Sequence, residues 1–304
     1  MALPSKCPLC GAKRTSQSVI TPHVFGRNSK NNAFFQCSNC EVIYQYPPLT
    51  KTEEIKFYKE EFEGFMNTRS KEETNWLSPE DHVNNNKKNF LRRKKFLDKA
   101  LTKSKKILEY GCSSGFMLYP LKKRGLECFG IEPSGLFRDF VNKNGIKTYE
   151  NLLELKKEIT FKFDLIIHFF VLEHISDPIN FLKSQIKLLS EKGKIIFEIP
   201  NSNDPLYKVY DLPEFERFYW SKAHPWYFNE YSIEFILKKL KVKYKIHRHQ
   251  RYDLSNHIFW AKEGKPGGTG KYSDLLGKNL EESYKKNLIK SGFCDTLFVE
   301  ISKS

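Results

Sequence analysis

The chain has 304 residues, 39% of them hydrophobic and 14% aromatic, and its formal net charge at pH 7 is +15. This composition predicts a folded protein with a sizeable core and excludes a disordered chain, and no apolar run reaches the roughly 18 residues that a membrane span requires. The charge would suit phosphorylated or nucleic-acid ligands, but lysine is scattered along the whole chain. We therefore assign most of the excess to solvated helix faces and expect no nucleic-acid partner.

Residues 1–48 carry two C-x-x-C pairs among short predicted strands and turns. Because the first residues lack the apolar run of a signal peptide, we expect a reducing, cytoplasmic setting, where paired cysteines bind metal. Four thiolates fill the tetrahedral coordination of Zn²⁺ and leave no open position, so the predicted module holds a structural zinc ion. The alternative of four unrelated thiols stays open, because the segment between the pairs is longer than in most zinc ribbons. The predicted ligands are Cys7, Cys10, Cys37 and Cys40.

A helical connector is predicted for residues 49–104, and a doubly wound, Rossmann-like α/β domain for residues 105–304. In the second region short apolar runs alternate with helical segments, which is the order of a parallel sheet with crossover helices. An aromatic-rich insertion at about residues 201–231 interrupts this order in the position of a substrate lid, and a C-terminal extension begins at about residue 255. The predicted strands are residues 107–110, 128–131, 146–149, 164–170 and 194–199.

The first of these strands runs into the glycine turn EYGCSSG, which opens a helix. Gly111 and Gly115 allow the backbone to pass close to a ligand, whose polar end can accept hydrogen bonds from the N–H groups at the helix start. At the end of the second strand, Glu132 can accept hydrogen bonds from two ribose hydroxyls. The block resembles motif I of class I S-adenosylmethionine-dependent methyltransferases, in which Glu109 matches the family's acidic residue and Ser113 replaces a glycine.

This resemblance implies S-adenosylmethionine as the cofactor, and the sequence lacks the G-x-G-x-x-G spacing of a dinucleotide oxidoreductase. The segment DLIIHFFVLEHISDP is similar to the family's fourth-strand motif, which places Phe170 beside the methionine part of the cofactor. Asn151 and Leu152 match the adenine-side positions loosely. The expected cofactor-binding residues are Glu109, Gly111, Ser113, Gly115, Glu132, Asn151, Leu152 and Phe170.

The complete layout is similar to that of bacterial methyltransferases that modify sugars for surface polysaccharides or secondary metabolites. The resemblance implies a small-molecule substrate that contains a sugar and a phosphate. His224 is the first candidate for the catalytic base, followed by His174 or His257, and Tyr58 is expected to help close the site. For His174, a helix-capping or packing role is an equal alternative.

Two other functions stay open at this point. Some ribosomal RNA methyltransferases also join an N-terminal zinc module to this core, so an RNA or protein methyltransferase is one alternative. A non-catalytic zinc-ribbon interaction protein is the other. The glycine-rich loop at residues 264–272 lacks the spacing of a P-loop and is either a surface turn or a cradle for an anionic group of the substrate.

Overall fold

The computed structural model describes residues 3–27, 32–70 and 78–304. Parts of the predicted zinc module and of the predicted connector therefore lie outside the described residues. The strands are β1 (Gln17–Thr21), β2 (Ala33–Cys37), β3 (Ile43–Tyr46), β4 (Lys106–Tyr110), β5 (Glu127–Ile131), β6 (Lys147–Tyr149), β7 (Phe163–Phe169), β8 (Leu189–Pro200), β9 (Trp226–Tyr227), β10 (Lys243–His249) and β11 (Thr296–Ser302).

Helices precede the large sheet and cover its two faces. The α-helices are α1 (Lys51–Lys56), α2 (Phe62–Ser70), α3 (Pro79–Asn85), α4 (Lys87–Leu101), α5 (Leu118–Lys122), α6 (Gly135–Lys143), α7 (Leu152–Glu158), α8 (Pro178–Leu188), α9 (Pro205–Lys208), α10 (Pro213–Tyr219), α11 (Glu230–Leu240), α12 (Leu254–Glu263), α13 (Ser273–Leu276) and α14 (Lys278–Ser291). A π-helical turn (Phe57–Glu61) joins α1 to α2, and 3-10 turns occur at Arg14–Ser16 and Leu172–His174.

Within the described ranges, seven strands form the large sheet in the order β10-β11-β8-β7-β4-β5-β6. The five strands from β8 to β6 are parallel, whereas β11 is antiparallel to both β8 and β10. The strand β7 reads FDLIIHF, a nearly continuous apolar run, because helices cover both faces of a parallel sheet. The predicted doubly wound, Rossmann-like α/β fold is confirmed, and the chain reverses its strand order beside β4.

The long strand β8 differs in one detail from the sequence prediction. The glycine-containing segment EKG, which reads as a turn after a helix, continues the strand instead. The extra residues of β8 shift the register of its pairing with β7 between Phe163 and Leu165. A Cβ atom at Gly193 would lie 2.8 Å from the carbonyl oxygen of Phe163, so this register requires glycine.

The smaller sheet has the order β1-β2-β3-β9 in the described part of the chain. Its first three strands come from the cysteine-rich segment, but β9 comes from the aromatic insertion and pairs antiparallel with β3. One apolar cluster runs from Phe35 and Tyr44 of this sheet to Ile166 and Phe197 of the large sheet. The cysteine-rich segment therefore shares a continuous core with the α/β domain.

No helix in the described residues combines the length and the apolar character that crossing a bilayer would need.

Replacing Tyr227 by phenylalanine should destabilise the region where the insertion meets the small sheet. Its buried hydroxyl accepts a hydrogen bond from the backbone N–H of Ser221 at 2.9 Å and donates to the carbonyl of Tyr219. Removing the hydroxyl leaves two buried polar groups unpaired, so Tyr227→Phe should lower the free energy of unfolding by about 1–3 kcal/mol in urea titrations. The exposed Tyr231→Phe is the matched control, and equal stabilities of the two variants would contradict the prediction.

Candidate functional site

The four cysteines of the two C-x-x-C pairs form one compact cluster. The Sγ atoms of Cys7 and Cys40 are 3.8 Å apart, those of Cys10 and Cys37 are 3.6 Å apart, and all four lie within 4.8 Å of one another. Tetrahedral zinc with Zn–S bonds of about 2.3 Å requires sulfur–sulfur distances of about 3.8 Å, so the cluster fits Zn²⁺. The side-chain amide of Gln17 donates to Cys37 Sγ at 3.6 Å, the kind of outer contact that orients a metal ligand.

The cysteine-rich segment holds the part of the insertion around His224 through two backbone hydrogen bonds. The backbone N–H of Gln45 donates to the carbonyl of Pro225 at 2.9 Å, and that of Phe25 donates to the carbonyl of Trp220 at 2.6 Å. From the other direction, the indole N–H of Trp226 donates to the carbonyl of Ile175 at 2.9 Å. The cysteine cluster thereby supports the geometry of a segment that is distant in sequence.

The glycine turn after β4 adopts the backbone conformation that its sequence predicts. Gly111 and Gly115 have φ of +62° and +75°, and a Cβ atom at Gly111 would lie 2.7 Å from the side chain of Val171. Ser113, where the family pattern has a third glycine, also has a positive φ of +44°. This conformation is unusual for a residue with a Cβ atom, so the serine keeps the turn of the glycine it replaces.

Glu132 lies against this turn. Its two carboxylate oxygens accept hydrogen bonds from the backbone N–H groups of Ser113 at 2.7 Å and Ser134 at 3.0 Å. Burial raises the pKa of Glu132 to about 7, although these two N–H groups act in the opposite direction. Each oxygen keeps a lone pair, so the ionised side chain can still accept two hydroxyl donors, as a ribose presents.

Glu109 is a second buried carboxylate, on β4 just before the glycine turn. The side chain is 2% exposed, and its Oε2 makes no hydrogen bond to any residue that the structure describes. Burial raises the pKa of this carboxyl group, while the charge of Arg93 opposes the rise. An orphaned buried carboxylate oxygen beside the glycine turn fits a cationic group such as the amino group of a bound amino acid.

A buried ion pair joins α4 to β8. The Nε of Arg93 donates to Glu198 Oε2 at 2.8 Å, and Arg92 donates to both oxygens of the same carboxylate. Burial acts to raise the pKa of Glu198, but Arg93 and Arg92 outweigh it and set the pKa at about 2. The Arg93 guanidinium also lies 4.4 Å from the ring centroid of Phe169 and 5.6 Å from that of Phe170, so it faces the end of β7.

Tyr58, His174 and His224 meet beyond the carboxyl end of β7. The Nδ1 of His174 lies 2.6 Å from the carbonyl oxygen of Ala223 and donates to it, which leaves Nε2 as the acceptor. The Tyr58 hydroxyl donates to the same carbonyl at 3.0 Å. The two imidazole centroids are 4.7 Å apart, and the buried Nδ1 of His224 has no hydrogen-bond partner among residues 3–27, 32–70 and 78–304.

Both imidazoles are neutral at pH 7. Burial lowers the pKa of His174 to about 4, with the Ala223 carbonyl opposing and the Arg69 cation adding to the shift. Burial, His174 and Arg69 together lower the pKa of His224 well below its usual value. Each ring therefore keeps a lone pair that can accept a proton.

Glu173 is a third buried ionisable group of this cluster. It is 1% exposed, and neither carboxylate oxygen has a hydrogen-bond partner within the described residues. Burial and the charge of Glu198 raise its pKa to about 8, while Arg251 opposes the rise. Donor atoms of Glu173, His174 and His224 lie within 4.8 Å of one another. These three side chains could also hold a divalent metal ion.

His257 lies in a different cluster. It is buried on α12, where its Nδ1 contacts the Tyr284 hydroxyl and its ring packs against Tyr210. Among the cofactor candidates, Asn151 uses its side-chain oxygen to cap α7 through the N–H groups of Leu153 and Glu154. The role of His257 as a base and the role of Asn151 as an adenine contact stay predictions.

Leu152 and the glycine-rich loop both pack against other parts of the protein. Leu152 is partly buried against the main core. The loop folds back on α12, where the N–H of Gly270 donates to Asp253 at 2.9 Å and that of Tyr272 donates to Ser255 at 3.1 Å. Two backbone N–H groups that a cradle would need are thus already used inside the protein.

Sequence reasoning did not single out several charged residues of the site. Arg93 lies on the same face of α4 as Phe90 and Leu97, and a cation within an apolar stripe signals burial. Glu198 interrupts the apolar strand IIFEIP in the same way. The other side chains in this group are Arg69, Glu173 and Arg251.

Comparison with known proteins identifies the family. Residues 83–240, just over half of the chain, match the family described as "Methyltransferase domain". The chain belongs to this methyltransferase family. The match includes the glycine turn, Glu132 and the cluster of His174 and His224, whereas the four cysteines lie outside it.

Curated relatives of the methyltransferase cover a limited part of it. Ubiquinone biosynthesis O-methyltransferase of Coxiella burnetii is 27% identical over 122 residues, 38% of this chain and 52% of that protein. The tRNA U34 carboxymethyltransferase of Sulfurimonas denitrificans is 35% identical over 107 residues, 32% of this chain and 35% of that protein. The chain thus spans about half of the length of the former and a third of the latter.

Two solved structures are also similar to the methyltransferase. A SAM dependent methyltransferase from Archaeoglobus fulgidus aligns with a TM-score of 0.47 at 17% identity, covering 70% of this chain and 92% of that chain. A plantazolicin methyltransferase in complex with a pentazolic analogue and SAH aligns with a TM-score of 0.49 at 17% identity, covering 83% of this chain and 96% of that chain.

Removing one cysteine ligand should release zinc and loosen the site. We expect one zinc per chain by elemental analysis of the intact protein. In Cys40→Ser we expect well below one zinc per chain. Its free energy of unfolding should be lower by about 3 kcal/mol or more, which is a fraction of the roughly 10–16 kcal/mol that structural zinc sites release on binding. Cys128→Ser, which replaces a buried thiol outside the cluster, is the control. Full zinc content in Cys40→Ser would refute the four-thiolate site. The exception is zinc bound at Glu173, His174 and His224, which would be lost when Glu173 or His224 is also replaced.

Proposed function

We propose that this protein transfers a methyl group from S-adenosylmethionine to a sugar-containing small molecule, such as a nucleotide sugar or a precursor of a surface polysaccharide or secondary metabolite. The observation that carries the proposal is the neutral pair His174 and His224, placed with Tyr58 at the carboxyl end of β7. Ligands of open α/β sheets bind at this edge. The similarity of the whole layout to sugar-modifying methyltransferases supports a sugar as the acceptor.

The residues around the glycine turn are proposed to hold the cofactor. Glu132 would accept the two ribose hydroxyls, and Glu109 would pair with the amino group of the methionine part. The chain between Gly111 and Gly115 would pass close to the cofactor, and Phe170, which has a positive φ of +56°, would line its methionine end. When bound, S-adenosylmethionine supplies a methyl group on a sulfonium, which is already activated for displacement.

His224 is proposed as the base that removes the acceptor proton. Its Nδ1 is buried and unpartnered in the described residues, whereas the Nδ1 of His174 is committed to the Ala223 carbonyl. In this transfer the acceptor oxygen, nitrogen or carbon would form its bond to the methyl carbon while the methyl–sulfur bond breaks, and the electron pair of that bond would stay on sulfur. The proton would pass to the imidazole of His224, whose ring packs against His174, and Tyr58 in turn contacts His174.

The affinity for S-adenosylmethionine should depend on the ionisation of Glu132. Below its pKa of about 7 the carboxyl group is protonated and loses its charge, so it accepts ribose hydroxyls poorly. The dissociation constant should rise by about tenfold per pH unit below 7 and level off above pH 8 in calorimetric titrations. Glu132→Gln should bind roughly 10- to 100-fold more weakly at pH 8 and lose this pH dependence.

Two comparisons make this titration decisive. The exposed Glu158→Gln on α7 should behave as the intact protein does. The absence of detectable affinity in the intact protein would sink the proposed function, whereas an unchanged pH profile in Glu132→Gln would remove only the role of this residue.

Replacing His224 by alanine should lower kcat by about 10²- to 10⁴-fold without weakening cofactor binding. The assay is formation of methylated products from nucleotide-sugar pools, followed by mass spectrometry. His247→Ala, at an exposed position of β10, is the matched control. His257→Ala compares the other candidate, and a larger loss in that variant than in His224→Ala would reassign the base. Because both imidazoles stay neutral, activity should not fall between pH 8 and pH 6 through histidine protonation.

A nucleic-acid substrate is the second candidate, favoured by the partial match to a tRNA-modifying relative and by the net charge of +15. The two functions differ in the salt dependence of RNA binding. A sugar-modifying enzyme should show no micromolar affinity for tRNA at physiological salt. A steep loss of micromolar binding with increasing salt would favour RNA instead.

Free thiols and a zinc–thiolate cluster suit the reducing cytoplasm, where we propose that the enzyme works.

A further inference from the structure

Arg251 has a guanidinium group without a polar partner. It lies 4.6 Å from the ring centroid of Phe170 and 5.0 Å from that of Tyr252. The Arg251 side chain is half-buried. It makes no hydrogen bond or ion pair with any residue that the structure describes. By contrast, the neighbouring Arg93 is paired with Glu198.

The backbone around Arg251 is held rigidly. Its N–H donates to both carboxylate oxygens of the buried Asp295 at 3.0 Å, and its carbonyl accepts from Lys285 Nζ at 2.8 Å. The side-chain amide of Gln250 donates to Asp295 at 2.8 Å. The side chain therefore extends from a fixed backbone, and contacts with two aromatic rings restrict the position of its guanidinium group.

The guanidinium lies beside the end of β7, where the proposed cofactor and acceptor would meet. Phe170, on which it stacks, directly follows β7 and donates its N–H to the Glu198 carbonyl at 2.8 Å. The charge of Arg251 also acts on Glu173, which adjoins His174 and His224. Arg251 thus lies beside the end of β7, within electrostatic reach of Glu173.

We propose that Arg251 binds an oxyanion of the acceptor molecule, a phosphate or a carboxylate, next to the point of methyl transfer. The proposal rests on the proposed function. A planar guanidinium presents two parallel N–H donors that match either anion in bidentate fashion. The carboxylates of Glu198 and Asp295 act on this cation from a distance, but no described residue uses its side-chain N–H donors, so these stay available to an anion that arrives with the ligand. An acceptor with one charged group and one nucleophilic group would be bound at two points, which aligns it for transfer.

The test uses two probes, inorganic pyrophosphate and malonate, each titrated by calorimetry into the full chain saturated with S-adenosylhomocysteine. The intact protein should bind at least one of them saturably, and the preferred probe distinguishes a phosphate-bearing from a carboxylate-bearing acceptor. Arg251→Gln should weaken that binding at least tenfold, and Arg251→Lys should weaken it less. Arg124→Gln, an exposed arginine after α5, should leave it unchanged.

Several results would overturn the proposal. These are no saturable binding of either anion to the intact protein, equal affinities in the intact protein and Arg251→Gln, or loss of S-adenosylhomocysteine binding in a folded Arg251 variant. The last result would assign Arg251 to the cofactor. If Arg251→Gln does not fold, Arg251→Lys decides the matter by whether its anion affinity changes. Failure of the intact protein to bind S-adenosylhomocysteine would refute the proposed function, and anion titration of the protein alone would still test Arg251.

Discussion

The pairing of the two-residue strand β9 with β3 is the contact on which the site geometry depends. It joins a sheet built around four thiolates to a segment of the insertion more than 170 residues later in the sequence. Just before β9, the carbonyl of Ala223 fixes both the tautomer of His174 and the hydroxyl of Tyr58. The cysteine cluster therefore supports the histidine pair although no cysteine touches it. A structural metal in this position would contribute to the site by holding backbone, without taking part in chemistry.

Unequal pairing of buried charges gives the site its chemical character. Glu198 is fully compensated by two arginines, so it stays ionised and ties α4 to the sheet. Glu109 and Glu173 each keep at least one buried oxygen without a partner in the described residues, and burial raises the pKa of both. A buried polar group left unpaired costs stability. Glu109 lies near the carboxyl end of β4 and Glu173 follows β7, so both are at the edge of the parallel strands where ligands of this fold bind.

The proposed cofactor half of the site could be predicted from the sequence because its residues are close together along the chain. The turn, its glycines and Glu132 follow from residues within one β-α-β unit, and the structure brings them together as that unit predicts. Even the departure at Ser113 changes only the residue type, since the backbone keeps its positive φ. The acceptor half was accessible only in part. His224 and His174 could be named as candidates, but their contact depends on how an insertion packs across the sheet.

The sequence by itself determined the alternation of strands and helices, the cysteine pairs and the cofactor turn, because each depends on spacing within a short segment. Only the tertiary structure decided which charged groups meet. It placed Arg93 against Glu198, separated His257 from the other histidines, and left Arg251 unpaired beside Phe170. These outcomes depend on contacts between segments far apart in the chain. The physical reason is that charge pairing and burial are properties of the packed molecule, which local periodicity does not encode.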